Sequence, residues 1–224
     1  MISAILFDLD DTLADRNASM RWALAEQYDY YKNDLIDISK ENYIEKLIEY
    51  QEHGYVNTKM AYDRLFRTEN IKGTVIQQLN NDINLRYGTK TILFDNVIET
   101  LEALKDKYRM AIITNGRIDW QYRKLRQAKM EKYFVNITIS EEVGFEKPNQ
   151  NIFMTCLKKM EIRPENCIFV GDNPEIDIKP AIEMGMKAIW KDNGYFEKPA
   201  KLNGRIKNFN ELINEIEKIE NEEI

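Results

Sequence analysis

The segment Ile2–Phe7 is short and apolar, and it runs straight into Asp8, with Asp10 and Asp11 close behind. An apolar run of this length, bounded by polar residues, reads as a strand buried on both faces, as in a parallel sheet. An ionised carboxylate at the end of such a strand is costly unless cations or donors meet it there. Whatever this chain folds into must therefore bring partners to that strand end. Four similar runs follow, Met110–Thr114, Val135–Ile139, Cys167–Val170 and Met186–Trp190. Between them lie helical stripes: Val97, Leu101, Leu104, Tyr108; then Ile152, Phe153, Cys156, Leu157, Met160; finally Phe209, Leu212, Ile213, Ile216, Ile219. Strands alternating with helices predict right-handed crossovers and an α/β fold around a parallel sheet.

Residues 15–90 break that rhythm. No strand pattern occurs there, and apolar residues recur at helical spacing: Trp22, Leu24, Tyr28; Tyr43, Leu47, Tyr50; Tyr62, Leu65, Phe66; Ile76, Leu79, Ile83. The expectation is an all-helical insert over 15–90, leaving a core made of 1–14 and 91–224. The rings of the insert either pack the helices together or face a ligand, with Tyr28, Tyr31 and Tyr62 as candidates for the second role. The charge-rich end, Glu215–Ile224, is expected to fray.

Composition narrows the chemistry. The chain has 224 residues and one histidine, His53, so histidine-dependent zinc, phosphohistidine and Ser-His-Asp mechanisms have no residues to work with. His53 reads as a solvated helix residue. The two cysteines, Cys156 and Cys167, sit in apolar contexts and read as reduced core thiols. The net charge of −6 opposes a nucleic-acid partner but not a small anionic substrate. No basic leader and no apolar run of the roughly 18 residues that a membrane span needs is visible, so a cytoplasmic protein is expected. Oligomeric state is not legible.

The polar residues just past the predicted strand ends form one constellation. They are Asp8, Asp10, Asp11 and Thr12 after the first; Thr114, Asn115 and Gly116 after the second; Gly171, Asp172 and Asp177 after the fourth. Lys147 and Pro148 precede the helix before that fourth strand. Ligands of open parallel sheets bind outside the carboxyl ends of the strands, so these segments should converge. Asp8 is placed to attack phosphorus, giving an aspartyl phosphate. Aspartates without His or Cys suit a hard cation with oxygen ligands, and Mg²⁺ is expected, with Asp172 a direct ligand and Asp177 binding directly or through water. Asp177 has a competing reading as a helix N-cap. Lys147 supplies fixed positive charge, while Thr114 and the N–H groups around Asn115 hold phosphate oxygens. Asp10 serves as acid and then base, and Asp11 reads as structural or gating. Arg117 and Trp120, just past Gly116, face either the substrate or solvent.

The segments FDLDDTL, ITNG, GFEKPNQNIF and VGDNPEID resemble, in order, the four motifs of the haloacid dehalogenase-like hydrolase superfamily. The resemblance covers about 1–14 and 91–195, and it implies a Rossmann-like core with the first strand central. It implies the roles already given to Asp8, Asp10, Thr114 and Lys147, and Mg²⁺ held by Asp8, the main-chain carbonyl of Asp10, and Asp172. The insert resembles the family's mobile helical cap, which would select the substrate. The segments TNG and EEVGFEKPNQNIF are similar to those of the branch holding pyrimidine 5′-nucleotidases and N-acylneuraminate 9-phosphatases. The motif set implies a phosphatase acting on a small phosphorylated metabolite, in the class of nucleoside or sugar phosphates. The alternatives are a phosphomutase, a phosphonate hydrolase using a cap lysine (Lys32, Lys40, Lys46 or Lys59), or a non-catalytic binding module. Asp10 argues against dehalogenation. Asn173-Pro174 departs from the usual fourth motif but preserves the spacing of Asp172 and Asp177.

Overall fold

The computed structural model describes residues 1–72 and 75–221. The chain divides into two compact units, Met1–Asp15 with the chain from Leu93 onward, and Arg16–Ile92.

In the first unit the strands are β1 (Ala4–Phe7), β2 (Arg109–Thr114), β3 (Asn136–Ile139), β4 (Cys167–Gly171), β5 (Lys187–Lys191) and β6 (Gly204–Ile206). They form a six-stranded sheet in the order β3-β2-β1-β4-β5-β6, and every pairing is parallel. The chain order reverses direction on either side of β1, which makes its carboxyl end the natural crevice. The register sharpens this. Phe7 is level with Ile112 on one side and with Val170 on the other. Asp8, Asn115 and Asp172 therefore leave the sheet at the same edge.

Both faces of the sheet are covered, and β1 shows how. Ile5 and Phe7 join one apolar cluster with Val97, Leu101, Leu125 and Phe209, while Ala4 and Leu6 join another with Ile152, Phe153 and Ile178. The period of two along the strand divides its side chains between two cores. Each fully buried aliphatic or aromatic side chain contributes about 1.5–3 kcal/mol.

Among its described residues the second unit contains the α-helices α1 (Arg16–Tyr30), α2 (Lys40–Tyr50), α3 (Thr58–Thr68) and α4 (Ile76–Arg86). Ser39 and Asn57 cap α2 and α3 by accepting from the N–H groups of Asn42 and Met60. Successive helices pack on one another, and α4 returns to α1. The remaining helices are α5 (Val97–Leu104), α6 (Ile118–Gln127), α7 (Ser140–Val143), α8 (Gln150–Met160), α9 (Lys179–Glu183) and α10 (Leu212–Asn221). Ile216 and Ile219 of α10 are buried, so the helix is docked to that point. Of the segment expected to fray, residues 222–224 lie outside the described residues.

Three details differ from the reading of the sequence. Strand β6 was not foreseen. His53 lies not in a helix body but in a 3₁₀ turn, exposed and with left-handed backbone. Tyr62 is fully buried among the helices, which removes it as a ligand-stacking residue. Its hydroxyl and that of Tyr43 both donate to Gln27 Oε1, at 2.5 and 2.6 Å. Gln27 Nε2 in turn donates to the carbonyl of Leu79 and to Asp82. Burying two hydroxyls demands such an acceptor. Gln27→Leu strands those groups and should destabilise the chain by about 3 kcal/mol. Urea unfolding measures the loss, and an unchanged midpoint would show that the network contributes nothing to stability.

Candidate active site

Asp8 follows β1 directly, and its N–H donates to the carbonyl of Val170, continuing the ladder one residue past the strand. Its side chain is buried. Lys147, also buried, bridges two carboxylates: its Nζ lies 2.5 Å from Asp8 Oδ1 and 2.7 Å from Asp177 Oδ1. The main chain of Lys147 is gripped from below. Its N–H donates to Asn115 Oδ1 at 2.8 Å, and its carbonyl accepts from Asn115 Nδ2 at 3.0 Å. The side chain of Asn115 thus positions the lysine.

Asp172 leaves β4 beside this pair. Trp190 Nε1 on β5 donates to its carbonyl at 2.7 Å. The Thr12 hydroxyl lies 3.4 Å from both Asp8 Oδ2 and Asp172 Oδ1. Asp177 sits in the wide turn Pro174–Ile178, its Oδ2 accepting from the N–H of Asn173. Asp177 is not the cap of that turn. Asn173 is, accepting from the N–H groups of Glu175 and Ile176, which gives the departure in the fourth motif a structural role. Gly171 is required by proximity: a Cβ there would lie 2.5 Å from Asp177 Cβ.

The electrostatics follow from this crowding. Burial, and secondarily the charge of Asp177, push Asp8 up to about 7 despite Lys147. Burial and the neighbouring Asp177 and Asp8 hold Asp172 well above the usual carboxylate range. Burial opposes the charge on Lys147, but Asp177 and Asp8 outweigh it and raise its pKa. Asp8, Asp172 and Asp177 each present a carboxylate oxygen, all within 4.8 Å of one another. Three carboxylates facing one ammonium, at a site lined by oxygen donors, fit a hard divalent cation.

Asp10 lies off to one side. Lys124 Nζ is 2.7 Å from each of its oxygens, and Gln121 Nε2 is 3.0 Å from Oδ2. The same Gln121 amide reaches Thr114 Oγ1 at 2.7 Å and the carbonyl of Asn115 at 2.8 Å. Asp11 adopts a left-handed backbone, φ 59°, and its carbonyl accepts from Asn193 Nδ2. Arg117 pairs with Asp119 and stacks over the Trp120 ring.

The structure thus gathers Asp8, Lys147, Asp172 and Asp177 into one buried cluster and ties Asp10 and Thr114 together through Gln121. Gln121 and Lys124 were not recognised in the sequence, although their spacing places both on one face of α6. Cys156 and Cys167 are buried free thiols. Among the described residues no helix is long and apolar enough to cross a membrane.

Comparison with known proteins gives a consistent answer. The family of haloacid dehalogenase-like hydrolases matches residues 5–191. Glyceraldehyde 3-phosphate phosphatase of Methanothermobacter thermautotrophicus is 30% identical over 84% of this chain and 85% of its own. N-acylneuraminate-9-phosphatase of Mus musculus is 28% identical over 84% and 82%. A HAD-hydrolase of Bacillus subtilis, solved bound to magnesium, shares the fold with a TM-score of 0.78 at 21% identity, covering 95% of this chain and 97% of that one.

Lys147→Met keeps the volume but leaves the buried carboxylates without their ammonium. In chelator-treated protein it should cost about 3–5 kcal/mol near neutral pH, and less at about pH 5, below the value of about 7 to which Asp8 is raised. Denaturant unfolding at the two pH values reads this out, and equal losses at both would contradict the electrostatic account.

Proposed function

This chain belongs to the haloacid dehalogenase-like hydrolases and is a phosphatase of that family, and we propose that it hydrolyses a small phosphate monoester with Asp8 as nucleophile and Mg²⁺ as cofactor. The observation that carries the reading is the Lys147 bridge between Asp8 and Asp177 beside Asp172.

The buried Asp8 carboxylate attacks phosphorus, and the bond to the leaving oxygen breaks as an aspartyl phosphate forms. Lys147 holds Asp8 in place and presents positive charge to the transferring oxygens. Thr114 and the backbone N–H groups at Asn115 receive the remaining oxygens. Asp10 gives a proton to the departing alkoxide. It then takes one from the water that attacks the acyl phosphate, which frees Asp8 and inorganic phosphate. Asp8, the main-chain carbonyl of Asp10 and Asp172 would hold Mg²⁺, with Asp177 completing the acidic set. The ion supplies charge neutralisation between the anionic nucleophile and the phosphoryl dianion.

Two relatives that match over 84% of this chain are named for different esters, glyceraldehyde 3-phosphate and an N-acylneuraminate 9-phosphate. The motif residues serve only the phosphoryl group such esters share. We assign the choice of leaving group to the helical unit Arg16–Ile92. The substrate class is a small phosphorylated metabolite of the sugar-phosphate kind, with no nucleic-acid or membrane partner, encountered in the cytoplasm.

Asp8→Asn preserves shape but removes the nucleophile, so phosphate release from p-nitrophenyl phosphate should fall by about 10⁴-fold or more with the fold retained. A variant with near wild-type turnover would move the nucleophile elsewhere. The cofactor is tested without turnover. In the metal-free protein Asp8 is raised to about 7, above its unfolded value, so its contribution to stability is present at low pH and lost as pH rises through about 7. A cation competes with protons for the same oxygens. Mg²⁺ should therefore raise the thermal midpoint more at about pH 8 than at about pH 5. Equal shifts at both pH values would place the ion elsewhere.

A further inference from the structure

We propose that Lys124 and Gln121 are positioning residues for Asp10, holding its carboxylate where acid and base chemistry require it; the inference rests on the reading of Asp10 as that acid and base. Three observations carry it.

Lys124 is 4% exposed, and Gln121 1%. Burying an ammonium is costly, and a buried ion pair is a poor way to gain stability over a well-packed apolar residue. Leu125, the next residue on α6, shows what this helix buries where only packing is needed. A lysine stands at 124, and its Nζ straddles Asp10, 2.7 Å from each oxygen. Equal distances to both oxygens fix the rotation of the carboxylate as well as its position.

The Gln121 amide links Asp10 to the phosphate-facing residues. Its Nε2 lies within 3.0 Å of Asp10 Oδ2, Thr114 Oγ1 and the Asn115 carbonyl. All three are available as acceptors, so the amide nitrogen and not the oxygen faces them. Asp10 is thereby referenced to the residues that receive the phosphoryl oxygens, which sets its distance from the leaving oxygen.

Room for this amide is built into the chain. Gly116 has φ 132°, and a Cβ there would approach Gln121 Nε2 to 3.2 Å. The residue that turns the chain out of β2 is also the one that leaves space for Gln121.

Without these partners the Asp10 side chain, just past β1, loses the two contacts that fix its carboxylate. The rate then loses part of the 10²- to 10⁴-fold that a well-placed acid or base contributes, on the order of 10²-fold. The loss has a signature. Protonation of the leaving oxygen matters most for poor leaving groups, so a displaced Asp10 steepens the dependence of kcat/KM on the acidity of the leaving phenol.

The experiment measures kcat and KM with Mg²⁺ for a series of aryl phosphates of graded phenol acidity. It compares wild type, Lys124→Met, Lys124→Arg, Asp10→Asn and the double variant Asp10→Asn/Lys124→Met, with thermal unfolding of each. For the least acidic phenol, Lys124→Met should lower kcat/KM by about 10²-fold, and for p-nitrophenyl phosphate by about tenfold or less. The effect should fall on kcat more than on KM. Lys124→Arg should recover part of the loss, and the double variant should be no slower than Asp10→Asn alone. A loss equal across all phenols, or losses that multiply in the double variant, would overturn the proposal. Gln121→Met carries the same leaving-group readout should Lys124→Met not fold. A wild-type enzyme that releases no phosphate, or a fully active Asp8→Asn, would instead overturn the phosphatase mechanism itself, so the two failures are distinct.

Discussion

The ammonium of Lys147, buried between Asp8 and Asp177, is the interaction on which the rest of the site depends. Three carboxylates cannot be brought together out of water without a cation, because each loses hydration and repels the others. The upward shifts of Asp8 and Asp172 record that opposition even with the lysine in place. A compact point charge serves better here than the wide planar fork of an arginine. Lys147 itself comes from a loop, and loops place charges poorly unless they are held. Asn115 does the holding by pairing with both polar groups of the Lys147 main chain.

The sheet converts this local chemistry into a reproducible geometry. Because β2, β1 and β4 run parallel, their carboxyl ends lie within two residues of one another, and the first residues beyond them emerge at the same edge. No loop has to travel far to reach the site. β5 and the loop after it add support, with Trp190 fixing the carbonyl of Asp172 and Asn193 fixing that of Asp11. Gly171 matters for what it lacks, since any side chain would occupy the space of Asp177. Rigidity at the sheet edge and close packing of short polar side chains together pre-organise the charges, which is where most of the benefit of electrostatic catalysis lies.

The helical unit is stabilised on a different plan. Its interior is not purely apolar, since Tyr43, Tyr62 and Gln27 are fully buried and satisfy one another. A buried polar network of this kind specifies one packing arrangement when every member is paired. Tyr62, a candidate for stacking on a ligand by the sequence alone, is part of that interior.

The sequence by itself determined the sheet, the helical insert and the acidic cluster, because each rests on local pattern. Apolar runs such as Ile2–Phe7 bury strands, period 3.6 marks helices, and Asp8, Lys147, Asp172 and Asp177 fall at or just past the ends of such elements. Strand β6 escaped notice because its three residues, Gly204–Ile206, are too few to show a period. The roles of Gln121 and Lys124 escaped for a more instructive reason: with Leu125 they form the buried face of α6, so the apolar stripe that marks the inward face of a helix is largely absent there. Only the tertiary structure decided which polar groups meet. The contacts of Lys124 with Asp10 and of Asn115 with Lys147 join residues remote in the chain, and Tyr62 is turned inward by helices that its own neighbourhood does not name. Hydrogen bonds and ion pairs act over a few ångströms of space, whereas sequence pattern reports only the few residues on either side.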